Sequence, residues 1–147
     1  MNKDRKTLKE YSIVILALAL FSLVRMVVDV CVFGFDTTGI VIEGATPQLI
    51  RIAGIIAFAL AIVLLIPNVF VGVRGINESK NPSGKKGHIV WSLVLAILAL
   101  IALVFAVIDI IKGYNLNKLI EIADIVLDVA IFGAYYSTAK KVAKSKE

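Results

Sequence analysis

The chain has 147 residues, 59% of them hydrophobic and 18% charged, with a formal net charge of +5 at pH 7. That apolar content stands well above the ~45–50% of soluble domains. Together with a mean hydropathy of +0.91, it excludes a soluble globule, a disordered tail and a nucleic-acid-binding domain. The single cysteine, Cys31, excludes an internal disulfide and the CxxC chemistry of thiol redox enzymes.

The first apolar run predicts a helix over residues 11–33, interrupted by Arg25 and Asp29. It has a basic start, but no small-x-small cleavage site follows, so it reads as a true span and not a signal peptide. The second predicted helix, 49–73, contains an uncharged stretch over residues 52–73, and the third, 88–111, an uncharged stretch over residues 87–108. About 20 apolar residues cross a hydrocarbon core of ~30 Å, so both are spans. Pro67 and Asn68 sit in the second helix, where proline frees the Val63 carbonyl and predicts a kink. The fourth helix, 118–139, carries Glu121, Asp124 and Asp128 and needs neighbours to cover its acids.

The connections are short. Residues 34–48 hold Asp36, Glu43 and no lysine or arginine; residues 74–86 read as a polar turn; residues 112–118 read as a tight turn with Gly113 and Asn115. Orientation follows from the basic residues. The N-terminus has Lys3, Arg5, Lys6 and Lys9. The middle connection has Arg74, Lys80, Lys85 and Lys86, and the C-terminus Lys140, Lys141, Lys144 and Lys146. Only Lys112 and Lys118 lie on the other side. The expectation is a single all-α integral membrane domain of four antiparallel transmembrane helices, with both termini cytoplasmic, in the cell membrane. His88, beside Lys85 and Lys86, reads as an interfacial side chain, and Tyr11, Trp91, Tyr135 and Tyr136 as interfacial rings.

With that topology, depth follows from a rise of 1.5 Å per residue. Arg25 lies ~12 Å and Asp29 ~6 Å below the outer boundary. Arg51 and Asp109 lie ~4–5 Å deep, Glu121 ~5 Å, Asp124 ~9 Å and Asp128 ~15 Å. All seven intramembrane charges fall in the outer half. At 100° per residue, Glu121, Asp124, Asp128, Phe132 and Tyr135 share one face of the fourth helix. A charge facing lipid costs at least ~2.5–3.5 kcal/mol, so this stripe is expected to face the bundle interior or a subunit interface. Arg25 is expected to pair with Asp124 or Asp128, and Arg51 with Asp109 or Glu121.

Two arginines against five carboxylates leave three acids over. Unpaired buried carboxylates become neutral or bind a cation. One expectation is therefore a small, oligomeric transport-type protein in which Asp124, Asp128 and Asp109 bind a cation or proton, organised by a charge-pair network of Arg25, Asp29, Arg51 and Glu121. The other is a non-catalytic accessory or scaffold protein whose charges hold the bundle or a partner helix. No nucleophile–base pair or histidine cluster suggests an enzyme, and no cofactor is implied. The expected partners are the lipid bilayer and either further copies of the chain or a larger membrane protein. Pro67 and Asn68 mark either a gating hinge or a static kink.

Overall fold

In the computed structural model, which describes residues 2–34, 44 and 46–145, the chain forms four helices: α1 (Lys3–Phe33), α2 (Pro47–Lys80), α3 (Gly87–Lys112) and α4 (Leu116–Lys144). Asp36, Glu43 and Lys146 lie outside the described residues. Three helices, α1, α2 and α3, are long and apolar enough to cross a membrane. Their outward side chains agree: Leu60, Leu64 and Phe105 are each more than half exposed, a surface suited to lipid and not to water. α4 does not meet that requirement by itself, because Glu121, Asp124 and Asp128 fall within two turns of one another.

The helices outrun the apolar stretches that announce them. α1 begins at Lys3, not near residue 11, and α2 continues through Arg74 to Lys80, a segment the sequence suggested was a turn. Apolar length sets how much helix suits the bilayer, whereas the helix itself stops where backbone bonding stops. Lys, Glu and Arg propagate helix well, and Pro82 supplies the stop, since it has no N–H to continue the ladder. At 34 residues α2 is ~51 Å long, well beyond the ~30 Å hydrocarbon core. α4 starts at a proper cap: the Asn115 side chain accepts from the Lys118 backbone N–H at 2.9 Å, satisfying one of the helix's orphan donors.

The chain divides into two compact units. One comprises Met1–Leu16 with Pro67–Glu147, the other Ala17–Ile66. The core lies in the first. Buried positions there recur at intervals of three and four: Leu8, Ser12 and Ile15 on α1; Val71, Gly72, Gly75, Glu78 and Ser79 on α2; His88, Ile89, Ser92, Leu95 and Ala96 on α3. On α4 they are Ile131, Phe132, Tyr135, Ala139, Val142 and Ala143. This is the period of helices packed along a seam. α3 and α4 pack on each other, but their shared core is confined to one end, and no residue from 97 to 130 is buried. In the second unit only Ala19 and Gly54 are buried among the described residues.

Candidate functional site

The seven charges singled out by depth do not gather in a core. Arg25, Asp29 and Arg51 are exposed in the second unit, and Asp109, Glu121 and Asp124 are exposed in the first. Asp128 is partly covered. The expected stripe of α4 is therefore split: its C-terminal members, Phe132 and Tyr135, are buried, while Glu121 and Asp124 are open. The seam with α3 closes only over the last half of α4, which accounts for the split. Asp109 meets Lys118 across the α3–α4 turn at 3.2 Å. Both side chains of this pair are partly exposed, so it contributes little to stability. Among the described residues, no three His, Cys, Asp or Glu side chains come together as a metal site requires. Cys31 is exposed.

α2 passes through Pro67 without a break in the helix. The boundary between the two compact units falls at this residue. Asn68 Oδ1 is enclosed and has no hydrogen-bond partner among the described residues.

The chemistry the first unit does assemble lies at its other end, around His88 and Tyr135, which the sequence suggests are interfacial side chains. His88 is not interfacial: it is 2% exposed, and Tyr135 is fully buried. Tyr135 Oη lies 2.6 Å from His88 Nδ1 and donates to the Val71 carbonyl at 3.0 Å. A phenol has one proton to give. With that proton on the Val71 bond, His88 Nδ1 must carry its own hydrogen and donate to Tyr135. The rings meet edge to face, with centroids 5.9 Å apart.

Beneath this pair, α1 and α2 cross on glycine. A methyl group at Gly75 would sit 2.6 Å from Tyr135 Oη and closer still to Ser12 Oγ, and one at Gly72 would sit 2.7 Å from Leu16 Cδ2. Only hydrogen fits at these positions. Ser12 Oγ in turn donates to the Leu8 carbonyl at 2.7 Å. At the end of α2, Arg5 donates to the Ser79 carbonyl at 2.7 Å and also to that of Lys80. A cation from α1 thereby satisfies the orphan carbonyls at the negative end of the α2 dipole.

No protein-family model, curated protein or solved structure matches this chain.

Glu78 closes the junction. It is 4% exposed, accepts from the Ser83 backbone N–H at 2.7 Å and from the Ser83 hydroxyl, and lies 3.4 Å from Arg74. It stands beyond the uncharged run, outside the spanning segment. Burial pushes its carboxyl up, but the two Ser83 bonds, with His88 and Arg74 nearby, leave it below the ordinary value of 4.5. A carboxyl whose folded pKa is depressed contributes stability above its unfolded pKa, and that contribution is lost as pH falls through the folded value. Melting of the purified protein between about pH 3 and 5 should therefore show an acid-labile component. Glu78→Gln should flatten that limb; an unchanged acid limb in the variant would mean that Glu78 does not carry it.

The Ser12 hydroxyl donates to a helix carbonyl, the Ser83 hydroxyl donates to the Glu78 carboxylate, and the imidazole and phenol bond each other. What the arrangement does is fasten the ends of four helices together.

Proposed function

We propose that this chain is a non-catalytic membrane protein of four antiparallel helices in the cell membrane, both termini cytoplasmic, that works by associating with further membrane helices along α4. The observation that carries this reading is the acidic face of α4. Asp124 is exposed and Asp128 only partly covered, in a stretch with no buried residue. α4 is too polar to span unaided, and each carboxylate turned to lipid would cost ~2.5–3.5 kcal/mol or more. A helix from a second copy or from a larger membrane partner relieves that cost. Twelve basic residues on the side of the termini, against Lys112 and Lys118 on the other, support the orientation. The length of α2 beyond the bilayer core supports a cytoplasmic projection.

The test is the state of assembly in mild detergent, by light scattering and by capture of co-purifying membrane proteins. The wild type should run as an oligomer or with a partner. The variant combining Asp124→Asn and Asp128→Asn should keep its helical circular dichroism and lose the association. A wild type that is monomeric and alone, or a variant that assembles as before, sinks the reading.

The second reading is a cation or proton site at Asp124, Asp128 and Asp109, of which Asp124 and Asp128 are two carboxylates one turn apart on the same face. It predicts a rise in thermal stability with a particular cation or with protonation. A ligand at 100 times its Kd adds ~2.7 kcal/mol, and a well-folded Asp128→Asn should abolish that rise.

A further inference from the structure

Between the start of α3 and the end of α4 lies a groove of about 250 Å³, lined by Lys86, Ile89, Val90 and Leu93 from one side and by Tyr136, Lys140, Ala143 and Lys144 from the other. The geometry points to a seat for one anionic phospholipid, its phosphate held among Lys86, Lys140 and Lys144 and an acyl chain lying along Ile89, Val90 and Leu93.

The groove is graded along its length. His88 of α3 is level with Tyr135 of α4 through their hydrogen bond. At 1.5 Å per residue, Lys140 and Lys144 then stand ~7 and ~13 Å outward of that level, and Leu93 ~7 Å inward. All three lysines are exposed, and no acidic side chain lines the groove. Lys140 Nζ lies 5.8 Å from the Tyr136 ring centroid, so an amphipathic ring marks the passage from charged rim to apolar floor. Val90 and Leu93 are themselves exposed, which makes the floor continuous with the apolar surface of α3. A charged end and an apolar end, separated by the depth of a headgroup, match a phospholipid. The volume is below the ~300–1,000 Å³ of ordinary small-molecule pockets, too small for a folded partner. Basic pockets between helices at the cytoplasmic face suit anionic headgroups in this way.

The inference rests on the membrane reading above, and its test separates the two. Trp91 is the only tryptophan, is exposed, and adjoins Val90 in the groove wall, so its fluorescence reports which lipid is beside it. The full chain would be reconstituted in phosphatidylcholine vesicles carrying a fixed fraction of brominated phosphatidylcholine or brominated phosphatidylglycerol. Quenching by the neutral brominated lipid establishes insertion, and its absence overturns the membrane reading itself. Given insertion, brominated phosphatidylglycerol should quench preferentially. Each lysine contributes about five-fold in relative affinity, the equivalent of ~1 kcal/mol. The combined variant Lys86→Gln, Lys140→Gln and Lys144→Gln should quench equally with both lipids. Removing the same charge elsewhere, with Lys3→Gln, Lys6→Gln and Lys9→Gln, should leave the preference intact. Val90→Phe, which keeps every lysine and narrows the floor, should reduce it. A wild type without preference, or a triple groove variant that retains it, overturns the proposal.

Discussion

Gly75→Ala should destabilise the protein by about 2–3 kcal/mol, whereas Gly133→Ala should be neutral or stabilising. Both glycines lie inside helices, where alanine is intrinsically favoured by up to ~1 kcal/mol. Their surroundings decide the sign. At Gly75 the added methyl meets Ser12 Oγ, Tyr135 Oη and Tyr135 Cε2, all within 2.7 Å. Ser12 and Tyr135 are fully buried, so neither can swing into solvent to make room. Overpacking costs ~1–3 kcal/mol, and displacing Tyr135 strains its bonds to His88 and Val71, which adds to that cost. The sum exceeds the propensity gain. At Gly133 nothing lies within 4 Å, so the propensity gain stands unopposed. Thermal or denaturant unfolding of both variants in the same detergent measures the contrast. Equal stability of Gly75→Ala and the wild type would mean that the α1–α2 crossing is looser than its glycines indicate.

The second large effect is expected at Tyr135→Phe. The substitution preserves ring and shape but strands the buried Nδ1–H of His88 and removes a donor from the Val71 carbonyl. An unsatisfied buried polar group costs ~1–3 kcal/mol. His88→Ala also leaves the Tyr135 hydroxyl short of a partner, so the two changes should not add. A double-mutant cycle should return a coupling between ~0.5 and 3 kcal/mol. Coupling near zero would show that the pair is a contact without energetic content. Infrared or NMR detection of the imidazole tautomer gives an independent check, since Nδ1 must carry hydrogen for both bonds to exist.

The glycine crossing and the His–Tyr pair explain why the core sits where it does. Ser12, Gly72, Gly75 and Ser79 are small enough to let α1 and α2 approach, as small residues do between membrane helices. The signal was present, since Gly72, Gly75 and Ser79 recur at three and four residues. Alanines recur with the same spacing at Ala53, Ala57 and Ala61 on α2 and at Ala102 and Ala106 on α3, and none of them is buried, so spacing alone does not mark the crossing. His88 and Tyr135 are 47 residues apart. Nothing local distinguishes a histidine beside two lysines at a membrane surface from one folded beneath a tyrosine.

The sequence by itself determined that the chain is built of four apolar helices, where the α3–α4 turn falls, and that α4 has an acidic face; of the four expected spans, three are apolar enough for a bilayer and α4 is not. Those are properties of hydrophobic run length, capping residues and helical periodicity, all carried by neighbours within a few positions. Only the tertiary structure decided which faces are covered. It extended α1 and α2 past their apolar runs, where Arg5 of α1 bonds the Ser79 and Lys80 carbonyls of α2. Within the first unit it placed the core at the end away from Asp109, Glu121 and Asp124. Burial depends on contacts between residues distant in the chain, and one hydroxyl that bonds to two other helices has no counterpart in composition or period.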